Sequence, residues 1–129
     1  MTELNKQQDK VALLAALRTN GIKHTPEEVE NIAQTPDGKI VFLEKGTSEA
    51  GLQHILEEHS SQFAGQGIEA DQIPDAIITA VIEGKIVGYQ DRRKTRPIYE
   101  VNFNGKTHYI AVTVSNNGYI VGANPRTSL

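Results

Sequence analysis

Up to Gly84 the apolar residues recur at helical intervals of three and four, and from Lys85 onward they alternate with polar ones. Val11, Leu13, Leu14 and Leu17 predict a short helix that follows a polar, fraying start over residues 1–8 and stops near Asn20-Gly21. Thr25-Pro26-Glu27-Glu28 reads as a capping box with proline at the first helical position, opening a second helix through Ala33. Pro36-Asp37-Gly38 predicts a turn, and Lys39 to Glu44 a strand. Leu52, Ile55, Leu56, His59 and Phe63 then share one face of an amphipathic helix, capped by Thr47 or Ser48 and ending near Gly65-Gln66-Gly67. A further helix starts around Pro74 and carries Ile73, Ile77, Ile78, Val81 and Ile82 on its buried side, with Gly84 as its stop.

Four strands follow, at Lys85–Tyr89, Pro97–Phe103, His108–Val114 and Tyr119–Ala123. Asn104-Gly105 and Asn117-Gly118 are hairpin signals, so the last three strands form an antiparallel meander. Two-residue turns put Tyr99, Val101, Phe103, Ile110, Val112, Val114, Tyr119 and Val121 on an apolar face that packs on the helices. Glu100, Asn102, Tyr109, Thr113, Ser115 and Asn124 fall on the opposite, polar face. The expected class is α+β, with N-terminal helices packed on a small antiparallel sheet. Residues 1–129 form a single domain, with 1–24 a helical lead-in and 25–129 the core.

Charge and composition narrow the chemistry. A net charge of −3 argues against indiscriminate binding to polyanions, yet Arg92, Arg93, Lys94 and Arg96 crowd together before the last strands. Such a cluster suits one anionic substrate, and equally suits a solvated loop. The chain has no cysteine, and no apolar run approaches membrane-spanning length. His54 and His59 are five apart, so on a helix their side chains diverge by about 140° and do not share a zinc face. No metal and no other cofactor is expected. His59 is a candidate proton-transfer group aimed inward from the apolar stripe, or a buried imidazole with one satisfied hydrogen bond.

Three stretches carry a more specific signal: Gly51-Leu52-Gln53-His54-Ile55-Leu56-Glu57-Glu58-His59, Arg96-Pro97-Ile98-Tyr99-Glu100-Val101, and Ile120-Val121-Gly122-Ala123-Asn124-Pro125. In this order they resemble the C-terminal toxin domains of bacterial contact-dependent inhibition and other polymorphic toxin systems. Among these, the chain is similar to nucleases of the barnase/EndoU/colicin/RelE superfold, close to the phage-associated branch, over roughly residues 25–125. The resemblance implies a metal-independent ribonuclease, most often acting on tRNA, that activates the ribose 2′-OH against the adjacent phosphate. It also implies delivery into a target bacterial cytoplasm as part of a larger secreted effector, and a cognate immunity protein as partner. An isolated domain of this kind has no membrane partner.

Carried over residue by residue, the resemblance makes His59 the acid or base and His54 a second histidine behind it. Arg96 becomes a phosphate clamp, while Arg92, Arg93 and Lys94 position the RNA backbone. Tyr99 matches a tyrosine near the scissile phosphate in relatives, although the register assigns it to the core face. Many relatives carry serine or threonine in the last strand where this chain has Gly122, which leaves Thr113, Thr127 or Asn124 to bind phosphate. Two other readings are a non-catalytic RNA- or immunity-binding module and a DNase on the same superfold. An aromatic content of 5% disfavours a base-stacking platform.

Overall fold

A computed structural model describes residues 3–127, with side chains from Lys10 onward. Among these residues the architecture is α+β, with three α-helices, a two-stranded sheet and a four-stranded antiparallel sheet. The elements run α1 (Glu3–Thr19), β1 (Val29–Gln34), β2 (Ile40–Glu44), α2 (Leu52–Gly65), α3 (Ile73–Glu83), β3 (Lys85–Tyr89), β4 (Pro97–Phe103), β5 (Lys106–Val114) and β6 (Ile120–Arg126). No described helix is long and apolar enough to cross a membrane.

One expected helix is a strand. Pro26–Glu28 makes a single 3-10 turn, and Val29–Gln34 pairs antiparallel with β2, Gln34 opposite Ile40. Pro26 opens the 3-10 turn as expected, but the capping box does not form: Thr25 makes no side-chain cap, its amide donates to Glu44 Oε2 at 2.9 Å, and the turn does not propagate. Val29, Asn31 and Ile32 are poor helix formers, and the turn at Thr35–Lys39 closes a hairpin once Val29 and Ile32 are buried against β2. Asn31 also donates to Asp75 Oδ1 at 2.9 Å, fastening β1 to the start of α3. Upstream of β1, α1 begins at Glu3, eight residues before Val11, where the expected helical stripe starts.

Two apolar clusters hold the molecule together. The smaller packs Leu17 of α1 against Val29, Ile32, Ile40 and Phe42. Lys10 Nζ adds a 2.8 Å bond to the Val29 carbonyl, so α1 is anchored on the two-stranded sheet. The larger sets α2 and α3, through Ile55, Phe63, Ile73 and Ile77, on the inner face of the four-stranded sheet. Phe42 joins the two sheets. Its amide donates to the Gly118 carbonyl at 2.9 Å, and its ring meets Tyr119 edge-on at 5.8 Å. Gly118 has φ 95°, and a Cβ there would stand 2.1 Å from the Ile40 carbonyl oxygen, so only glycine fits this crossing.

The four-stranded sheet runs β3-β4-β5-β6 as a meander. Asn104-Gly105 is a two-residue turn with Phe103 opposite Lys106, as the sequence predicts. The second turn differs. Ser115 donates to the Tyr119 carbonyl, so Asn116, Asn117 and Gly118 form a three-residue loop, and a bulge at Val121 then restores the pairing from Thr113–Gly122 onward. Ile120 and Ala123 therefore face the large core, while Tyr119 turns to Phe42 and Val121 is half-buried, contrary to the simple alternation. The last strand also continues past Ala123 through Pro125, which an edge strand tolerates.

Candidate functional site

The second face of this sheet carries a polar cluster built on one row across three strands. Arg96 precedes β4, Thr113 lies on β5 and Gly122 on β6. Arg96 Nε donates to Thr113 Oγ1 at 2.7 Å, and its Nη1 to Asn124 Oδ1 at 3.0 Å. Gln90, just after the strand at the opposite edge, exchanges two bonds with the Asn124 amide, at 3.1 and 2.8 Å. Arg126 Nη1 reaches Gln90 Oε1 at 3.2 Å. The side chains from both edges thus meet across the face, above Ile98 and Ala111, which are 2% and 0% exposed.

Arg96 is the electrostatic centre of this cluster. Partial burial pulls its guanidinium below the ordinary arginine value, with the Asp91 charge opposing the shift. It remains a cation at any physiological pH. Thr113 Oγ1 and Asn124 Oδ1, which accept from its guanidinium, are neutral, and among the described residues no carboxylate stands within salt-bridge reach of it. Asp91 is engaged elsewhere. Its oxygens accept from the Thr95 and Arg96 amides at 2.9 to 3.1 Å and from the Thr95 hydroxyl, closing the loop that presents Arg96. These bonds, the Thr95 hydroxyl first, hold the Asp91 carboxyl below its usual range.

A cleft of about 530 Å³ opens beside the cluster, between the end of α2 and β6, lined by Gln62, Gln66, Asn124, Pro125 and Arg126 among others. His59 borders it indirectly. The imidazole is half-buried, and Nδ1 donates to Gln62 Oε1 at 2.7 Å, so it lies at the margin of the apolar stripe and not within it. The core-facing placement expected for His59 is corrected accordingly: Ile55 and Phe63 take the interior positions on either side. His54 sits at the other end of α2, its Nδ1 donating to the Ser48 carbonyl at 2.8 Å. Neither Thr47 nor Ser48 caps the helix; Gly51 holds that position and Ser48 donates to Glu57.

Of the residues singled out from sequence, Arg96, Thr113 and Asn124 come together. Tyr99 does not join them: it is buried on the inner face, and burial followed by the charge of Tyr89 raises its phenol. Arg92, Arg93 and Lys94 are exposed on the 91–96 loop, with Lys94 Nζ 5.7 Å from the centre of the Tyr89 ring. Thr127 is exposed and lines the cleft. Gln90, Gln62 and Arg126 were not anticipated, because isolated polar residues at strand and helix ends carry no periodic signal. His108 was missed too. It faces the core side opposite Val101, only 4% exposed, and burial and then the charge of Lys106 lower its pKa, with the Phe103 backbone opposing.

Among the described residues, no three histidine, aspartate or glutamate side chains converge as a metal site would require. No protein-family model matches the chain, and no curated protein is significantly similar to it in sequence.

Proposed function

We propose that this domain is a metal-independent endoribonuclease that cleaves RNA, tRNA first among its substrates, by attack of the ribose 2′-OH on the adjacent phosphate. The observation that carries this reading is Arg96, a partly desolvated guanidinium held in place by Thr113 and Asn124 beside an open cleft. A cation oriented by neutral partners is preorganised for an anion, and more strongly for one whose charge grows in the transition state. Internal transesterification suits the residues present, since the nucleophile arrives with the substrate. His59, one hydrogen bond from the cleft wall, serves as the proton-transfer group in this scheme.

Its place in biology follows from the same resemblance: a toxin domain carried by a larger secreted effector, delivered to a target bacterial cytoplasm, and neutralised by an immunity protein with an acidic face. The test is the product. Total tRNA incubated with the protein and EDTA should yield fragments ending in a 2′,3′-cyclic phosphate and a free 5′-hydroxyl. RNA with 2′-O-methyl at the cut site should resist. Cutting of that blocked RNA, a 5′-phosphate product, or EDTA-sensitive nicking of DNA would each overturn the proposal. His59→Gln, which keeps a donor toward Gln62, should lose cleavage while staying folded.

A further inference from the structure

We infer that the open edge of β3, with the groove beside it, docks an extended segment of a partner protein that alternates acidic and apolar residues and adds to the sheet as a short strand. The surface goes beyond the ribonuclease reading and does not depend on it.

Among the described residues β3 has β4 on one side and no strand on the other, and no turn or loop bond reaches its outer side. The remaining edges are occupied. On β6 the Val121 carbonyl accepts from the Gly51 amide at 3.0 Å, and Tyr119 bridges to Phe42. On β1 the Val29 carbonyl takes Lys10 Nζ, and the Ile32 amide turns to Asn31 Oδ1 at 2.9 Å. The Gln90 amide donates to the Arg96 carbonyl at 3.0 Å, and Tyr89 stands opposite Pro97, which has no amide. By the alternation of an antiparallel ladder, the amide and carbonyl of Tyr89 therefore point outward. A bulge between Ile86 and Gly88 keeps the free run short.

The side chains along this edge are the second observation. Three large apolar residues stand exposed among those described, and two of them are on β3: Ile86, at 47%, and Tyr89, at 44%. Edge strands ordinarily avoid such residues. Ile86 also borders a groove of about 480 Å³ between the end of α3 and the Thr35–Lys39 turn, lined by Pro36, Val81, Ile82, Tyr99 and Val114 among others. Asp37 and Lys39 on the groove wall offset each other in charge.

Charge selects the occupant. Lys85 opens β3, and the exposed Arg92, Arg93 and Lys94 follow it, with Lys94 over the Tyr89 ring. Asp91 is turned into its own loop, and Glu100, opposite Lys85, stands one strand further in. An added strand with apolar residues toward Ile86 and the groove places its alternate positions toward Lys85, where carboxylates fit. A second copy fits less well, because two β3 edges side by side set each basic loop against the other's Lys85. An RNA strand suits the basic loop but leaves Ile86 and the groove uncovered.

The experiment is an NMR titration with a synthetic peptide of alternating glutamate and valine, about six residues long as an ordinary strand is. Amide signals of Ile86, Gly88 and Tyr89 should shift saturably, and the Tyr89 amide should gain protection from exchange. Ile86→Glu and, independently, Tyr89→Glu, both at exposed positions, should weaken binding about tenfold or more, as loss of one apolar anchor does. The same peptide with lysine for glutamate should not bind. Equal binding of that peptide, shifts confined to other elements, or no saturable shift overturns the surface. So does self-association that Ile86→Glu abolishes, which would assign the edge to a second copy, or a single-stranded RNA that moves the Tyr89 amide where the peptide does not. RNA cleavage is not a readout, so this surface and the ribonuclease reading fail separately.

Discussion

Arg96 lies over Gly122: a Cβ on that glycine would stand 2.9 Å from Arg96 Nη2. The space that a side chain at position 122 would take is filled by the Arg96 guanidinium, reaching across from the loop before β4. Gly122→Ser should push the Arg96 head off Thr113 and Asn124. Because the atom displaced is the end of a flexible side chain, thermal stability should change little while RNA cleavage falls by about tenfold or more. Full activity in a folded Gly122→Ser protein would mean that the position of Arg96 is irrelevant to turnover.

The basic run divides into one built residue and three solvated ones. Arg96→Ala should abolish most turnover with modest loss of RNA affinity. Arg92→Ala, at an exposed position, should weaken binding uniformly and reduce the salt dependence of binding by about one ion. Equal small losses at both positions would remove the distinction.

His108 makes acid stability measurable. Burial lowers its folded-state pKa below the ordinary 6.5, so the unfolded chain takes up a proton that the folded one resists. This contribution is fully present above pH 6.5 and is lost as pH falls from there through the lower folded value. Urea unfolding at pH 7.5 and pH 5.5 should therefore show a loss for the native chain, and a smaller one for His108→Gln. Identical losses in the two proteins would place the acid sensitivity elsewhere.

Phe42 is fully buried where the two sheets meet. Phe42→Ala should cost about 3–5 kcal/mol in denaturant unfolding, the usual range for a buried phenylalanine. Because the ring packs against Tyr119 where the two sheets meet, the loss should appear in one cooperative transition. Two separate transitions would show that the sheets unfold independently.

The sequence discloses the helices α2 and α3 and the strands of the meander because burial repeats there over long enough stretches to be read. β1 was illegible for a physical reason. Its proline opens only a 3-10 turn that Thr25 does not cap, and its preference for strand comes from β2, which lies on the far side of a turn. The site divides the same way. Arg96, Thr113 and Asn124 were legible because alternation fixes the face on which Thr113 and Asn124 lie. The bonds that converge them depend on Gln90 reaching from the opposite edge, which no local pattern contains. His59 was placed too deep because helical periodicity gives a direction but not the distance to the sheet edge.

The surplus residue at Val121 gives the last strand its slack. Ile120 and Ala123 are three apart and both reach the interior, an odd interval that a regular ladder does not allow. A chain lacking Val121 keeps every later partner, since Gly122 would simply follow Ile120 opposite Thr113. Between Gly122 and Arg126 no such reserve exists. Losing one residue there turns the remainder of the strand over and carries a guanidinium toward the apolar side. Length variation in this strand is therefore tolerated at one point and lethal to the site a few residues later.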